Sequence, residues 1–106
     1  MNIWGIPEWL EQEVRARDKY CIYCGIIMIE KMPPHGPRTA VATWEHIIND
    51  ARIITRGNIA RCCVACNSSK GTKPLAEWLE SNYCKKRGIN KDTIAEIAKA
   101  ALQAGS

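Results

Sequence analysis

Cys21-Ile22-Tyr23-Cys24 and Cys63-Val64-Ala65-Cys66 are two C-x-x-C pairs in one short chain. Two residues between cysteines let both sulfurs face one point. Two such pairs supply the four thiolates of a closed tetrahedral zinc site, with Zn–S near ~2.3 Å. Gly25 directly follows the first pair, where a tight knuckle must turn backbone N–H groups toward the sulfurs. Cys62 offers an alternative to Cys63 with one more intervening residue; Cys63 repeats the spacing of the first pair and is the expected ligand. Cys62 and Cys84 then read as small buried hydrophobes. The stretch from Cys24 to Cys63 is longer than a zinc ribbon uses, so the metal is expected to bracket a functional element.

That bracket holds Trp44-Glu45-His46-Ile47-Ile48-Asn49-Asp50 and Gly57-Asn58-Ile59, and the second knuckle continues into Asn67-Ser68-Ser69-Lys70-Gly71. A neutral imidazole suits proton abstraction from water near neutral pH. A carboxylate and an amide oxygen suit a hard divalent cation that keeps positions open. Taken singly, Glu45-His46 reads as a structural pair, Asn58 as a turn residue and Asn67 as a helix surface or cap residue. Their chemistry becomes specific only in combination.

The chain has 106 residues and six cysteines, a size at which a core benefits from a metal or covalent staple. The first residues show neither a basic leader region nor a long apolar run, and no apolar stretch is long enough to span a bilayer. The expectation is a cytoplasmic protein with reduced thiols and no membrane partner. The formal charge is +4, and its distribution matters more than its size: Ala51 to Ala76 contains no acid but carries Arg52, Arg56, Arg61, Lys70 and Lys73. A local positive field of this kind suits a phosphate backbone.

Elements must position these groups. A first helix is expected from Pro7 to about Asp18, with Glu8 and Glu11 at its N-terminal end and Leu10 and Val14 at helical spacing. Ile26–Met32 and Thr39–Glu45 read as strands, Pro33–Pro37 as a loop, Ile47–Gly57 as irregular and Asn58–Cys62 as a short strand. A helix over Val64–Lys70 should stop at Gly71, another should run from Pro74 to Gly88, and Asn90 should cap a last one bearing Ile94, Ile97, Ala98, Ala101 and Leu102. The four tryptophans read mainly as core and hinge packing, with Trp44 the one to test as a base-stacking platform. His35 is assigned no role.

The order of these pieces resembles the HNH, or ββα-metal, nucleases: an acid-His pair on a strand, an Asn after a loop, and a final Asn or His on a helix. Cys63 to Gly71 matches the C-x-x-C-N-x-x-K-G string of the zinc-containing branch. The resemblance covers about residues 20–78, more than half of a chain read as one domain over 1–106, with C-terminal helices over 74–104. It implies an α+β fold, a small ββα-metal core stapled by four cysteines and flanked by helices at both ends. It further implies metal-dependent endonucleolytic cleavage of DNA. His46 would be the general base, oriented by Asn58. Glu45 and Asn67 would ligate Mg²⁺ or Mn²⁺, and Lys70 would meet a phosphate.

Arg52, Arg56, Arg61 and Lys73 are added as backbone contacts on charge clustering alone. Contacts mainly to phosphate imply low sequence specificity; the same base and metal would serve RNA, and a homodimer would double the contact length. Glu45 stands where the family usually has Asp, Asn49 where Pro is frequent, and Asn67 makes this the H-N-N variant. The rival expectation is a catalytically inactive, zinc-stabilised DNA-binding module.

Overall fold

Among the described residues one antiparallel hairpin organises the chain. Strand β1 (Ala42–His46) pairs with β2 (Ile59–Cys63) in the register Thr43↔Cys62, Trp44↔Arg61, Glu45↔Ala60 and His46↔Ile59. The computed structural model describes residues 2–35 and 38–105. Side chains alternate across a strand, so Thr43, Glu45, Ala60 and Cys62 share one face and Trp44, His46, Ile59 and Arg61 the other. Every residue of β2 is buried, because both faces are covered.

Helix α1 (Glu8–Arg17) covers the second face. Its Leu10 and Val14 pack with Ile6 and Ile59 into a small core, flanked by Trp44 and Ile54. The first face meets the larger core: Ile22, Tyr23, Ile47, Ala60, Cys62 and Trp78 join residues of the C-terminal helices. Helix α2 (Val64–Lys70) follows β2 without a loop, and Cys63 is both the last strand residue and the helix N-cap. Gly71 stops α2 at φ 54° and ψ −126°, a backbone position suited to glycine. The consecutive β1, β2 and α2 around four cysteines give the α+β, ββα-metal type of arrangement that the sequence implies.

Several element boundaries depart from expectation. Ile26–Met32 forms no strand: Ile27 bridges Tyr20 antiparallel and Ile29 bridges Val41 in parallel, so two different partners interrupt any ladder. Strand β1 begins at Ala42 rather than Thr39 and includes His46. The helix expected from Pro74 to Gly88 is two, α3 (Leu75–Leu79) and α4 (Asn82–Arg87). Ser81 separates them, because its hydroxyl accepts the Cys84 N–H and starts a new helix. Asn90 does not cap the last helix: it builds a turn with Asp92 and Thr93, and α5 (Glu96–Gln103) begins after Ala95 donates its N–H to the Ile22 carbonyl. Of the expected loop Pro33–Pro37, positions 36 and 37 lie outside the described residues. No helix among the described residues is long and apolar enough to cross a membrane.

Candidate active site and thiolate metal centre

The sulfurs of Cys21, Cys24, Cys63 and Cys66 lie within 4.8 Å of one another. Each pair forms the same knuckle: the Cys24 N–H donates to Cys21 Sγ and the Cys66 N–H to Cys63 Sγ, both at 3.5 Å. Gly25 adopts φ +78°, which lets the first knuckle close with its N–H on the Cys21 carbonyl. Cys62 points away into the core, with its thiol beside Thr43 Oγ1 at 3.7 Å. Strand alternation therefore chooses Cys63 as the fourth sulfur.

Four thiols around one point carry a charge problem. Hydrogen bonds from the Cys63 and Cys66 thiols hold Cys21 far below the usual thiol range, at about 2. The same sharing pushes Cys63 up to about 12 and Cys66 further up. The cluster thus favours a thiolate at Cys21 and keeps Cys63 and Cys66 protonated, and a divalent cation at the centre would replace those two protons. The donor set and geometry fit a closed metal centre.

At the free edge of β1, a cavity of about 170 Å³ is lined by Trp4, Trp44, Glu45, His46, Asn49, Ala51, Asn67 and Gly71. Glu45 and His46 leave opposite faces of the strand and reach this edge from either side, while Asn67 comes across from α2. Asn67 Nδ2 donates to Thr43 Oγ1 at 2.8 Å and to the Trp44 carbonyl at 3.2 Å. Thr43 spends its own hydroxyl hydrogen on the Cys62 carbonyl, so it can only accept from Asn67. These contacts fix the amide orientation and leave Oδ1 as a free acceptor. His46 Nε2 is buried with no hydrogen-bond partner among the described residues.

Glu45 is more committed than the sequence suggests. Its Oε2 accepts from the Tyr23 hydroxyl at 2.7 Å and lies 3.3 Å from Lys70 Nζ. Burial pushes its carboxyl up, against the opposing pull of Lys70 and Tyr23. Among the described residues no donor reaches its Oε1. Burial raises the Tyr23 hydroxyl too, and the Glu45 charge adds to that, so Tyr23 remains a donor.

Asn58 is a clasp. Its Oδ1 accepts the Ile48 N–H at 2.7 Å, and its Nδ2 donates to the Ile48 and Ile53 carbonyls at 3.2 and 3.1 Å. Its backbone carbonyl also receives the Ile47 N–H at 3.0 Å. The irregular loop is thereby tied to the end of β1, next to His46.

The basic stretch divides. Lys70 is fully buried, with Nζ on the Ile47 carbonyl at 3.0 Å and beside Glu45, so the expected phosphate contact is corrected: the ammonium is a counter-ion inside the fold. Arg61 is also turned inward, against Glu30 at 2.8 Å and over the Trp44 ring at 4.7 Å, so its backbone-contact role falls as well. Arg52 is exposed but chelates Asp50, and Arg56 is exposed but pairs with Glu13. Lys73 is exposed near the end of α2, with Nζ on the Ser69 carbonyl at 3.3 Å. Sequence reasoning missed Tyr23 and Trp4. The signal for Tyr23 was a hydrogen-bonding side chain inside a metal knuckle; for Trp4 there was none.

No family model matches the chain, and no solved structure matches it. In an alignment of 89 residues, 76% of this chain is 30% identical to the CRISPR-associated endonuclease Cas9 of Corynebacterium diphtheriae. The chain resembles a segment of an endonuclease. That segment is 7% of the length of the larger protein.

Proposed function

We propose that this chain is a metal-dependent endonuclease of the HNH type, in its four-cysteine, H-N-N form, and that it hydrolyses phosphodiester bonds of DNA. The observation that carries the reading is the β1-edge cavity, lined by Glu45, by His46, whose buried Nε2 has no hydrogen-bond partner among the described residues, and by Asn67, whose Oδ1 accepts no hydrogen bond from them. Likeness to an endonuclease supports the same class.

In this reading zinc fills the thiolate centre and stays structural. Mg²⁺ or Mn²⁺, held by Glu45 Oε1 and Asn67 Oδ1, would supply Lewis-acid neutralisation of charge on the scissile phosphate. His46 Nε2 accepts a proton from the attacking water. The new P–O bond forms as the bond to the 3′ oxygen breaks, leaving a 5′-phosphate and a 3′ oxyanion that takes a proton from solvent to become the hydroxyl. Asn58 holds the loop that keeps the imidazole in place. Lys73, with Arg52 and Arg56 when they exchange their carboxylate partners, would meet the phosphate backbone, so binding should weaken with salt.

One observation favours the rival module without catalysis: Lys70 and Tyr23 already occupy one oxygen of Glu45, the acid that lines the cavity among the described residues. Nicking of supercoiled plasmid with Mg²⁺ or Mn²⁺ separates the readings. Loss of nicking in a folded, zinc-replete His46→Ala variant supports the nuclease. Nicking that survives undiminished in that variant removes His46 from the mechanism, and salt-sensitive binding with no nicking by the wild type establishes the rival.

A further inference from the structure

The four tryptophans have four different settings. Trp78 is fully buried in the core. Trp44 has the guanidinium groups of Arg15 and Arg61 over its ring at 5.2 and 4.7 Å, which removes it as a stacking platform. Trp9 carries Arg56 at 5.5 Å. Trp4 is 50% exposed, lines the β1-edge cavity, and forms a T-shaped pair with the His46 imidazole at 6.1 Å between centroids and 70° between planes.

Its position is built. Asn2 Oδ1 accepts the N–H groups of Trp4 and Ile6 at 2.9 and 3.2 Å, the Asn2 carbonyl accepts the Gly5 N–H at 3.0 Å, and Asn2 Nδ2 donates to Glu11 at 3.3 Å. Gly5 turns the chain at φ +74° against Ile54, and Ile6 is then fully buried beside Leu10. An Asx turn and a buried anchor therefore present an indole at the wall of the cavity, where leaving it in water forgoes the gain of burying a large apolar surface.

We propose that Trp4 is a stacking platform for a nucleobase of a nucleotide adjoining the scissile phosphate. The proposal rests on the nuclease reading and sharpens its substrate class. A phosphate seated among His46, Glu45 and Asn67 carries its nucleosides covalently, and a neighbouring base must pass the cavity wall that Trp4 forms. An aromatic face accepts any base, so it adds affinity without sequence specificity. A base inside a regular duplex is already stacked on its neighbours. Trp4 thus favours single-stranded or locally unpaired substrate over intact duplex. Stacking releases no counterions, so this part of the affinity is insensitive to salt, unlike the phosphate contacts.

The test is a thermodynamic cycle. Binding of a labelled single-stranded oligonucleotide is measured without added Mg²⁺ or Mn²⁺, for wild type, Trp4→Ala and Trp4→Phe, with an abasic nucleotide moved along the strand. Zinc content and circular dichroism establish that each variant is folded. Wild type should lose about five- to hundredfold in affinity when the abasic site reaches the stacked position, the range for one stacked base. Trp4→Ala should be weakened by a similar factor on the intact strand, show no further loss with the abasic strand, and lose the preference for single strand over duplex. Trp4→Phe should recover most of the affinity. Equal sensitivity of wild type and Trp4→Ala to every abasic position overturns the proposal. Cleavage by the wild type in Mg²⁺, scored separately, keeps the two readings apart: cleavage without coupling sinks the Trp4 platform alone, and coupling without cleavage sinks the nuclease while the stacking site stands.

Discussion

Lys70 Nζ lies 3.3 Å from Glu45 Oε2, and both side chains are buried. An ammonium on α2 thus holds the carboxylate of β1 from behind while the other oxygen is left for a ligand. Breaking a buried pair by removing one partner strands the other charge, at a cost of about 3–5 kcal/mol. Lys70→Met should therefore lower the stability of the zinc-loaded protein by that amount in urea unfolding. Adding Glu45→Gln to it should recover a large part, because no charge then remains buried. A surface lysine would give neither effect.

His46 and Asn67 should separate cleanly in their effects. His46→Ala removes a side chain whose Nε2 has no partner among the described residues, so the fold should be retained while cleavage falls by about 10²–10⁴, the usual contribution of a general base. Asn67→Ala removes the Oδ1 acceptor together with the bonds to Thr43 and Trp44. Mn²⁺ binding followed by electron paramagnetic resonance should weaken in Asn67→Ala and remain in His46→Ala. The opposite pattern would exchange the two roles.

What the sequence disclosed and what it hid follow from the range of the interactions. The thiolate centre and α2 were legible because their information is local: C-x-x-C spacing sets each knuckle, and Gly71 ends the helix. The partner of Glu45 was not, since Lys70 sits in a polar string before a glycine and reads as solvated. Its burial arises only when α2 lies across the first face of the hairpin. The split at Ser81 was hidden by a continuous apolar stripe, Leu75, Trp78, Leu79 and Tyr83, which both short helices still present to the core. Trp4 belongs to no periodic element, and only folding brings it to His46.

Asn58 is predicted to matter for the loop more than for the hairpin. Its side chain makes three hydrogen bonds to Ile48 and Ile53 while almost fully buried, and Asn58→Ala would leave those backbone groups short of partners. A loss of about 2–4 kcal/mol is expected from unsatisfied buried groups. Hydrogen exchange should show the amide of Ile48 losing protection while those of β2 keep theirs in proportion to global stability. Cleavage should fall with kcat more than KM, as the imidazole loses its fixed setting. A uniform loss of protection would mean that Asn58 supports the whole fold rather than the site.

The thiolate centre makes a prediction about pH. In the metal-free cluster Cys63 is pushed up to about 12 and Cys66 is also raised, so both carry protons at neutral pH, whereas Cys21, held at about 2, does not. Zinc must displace the protons of Cys63 and Cys66 when it binds. The sign follows directly: lowering the pH favours the protonated, metal-free cluster, and with at least two protons released the apparent zinc affinity should fall about a hundredfold per pH unit across the neutral range. Competition with a chromophoric chelator at several pH values reads that slope, and proton release into weak buffer counts the protons. Because Cys63 joins β2 to α2 and the first knuckle packs under both, zinc loss should also melt the hairpin, seen as loss of near-ultraviolet circular dichroism from buried Trp78 and Tyr23. Withdrawal of Mg²⁺ should leave that signal untouched. A zinc affinity flat with pH would show that Cys63 and Cys66 hold no protons for the metal to displace, and a hairpin that survives without zinc would show that packing alone holds it.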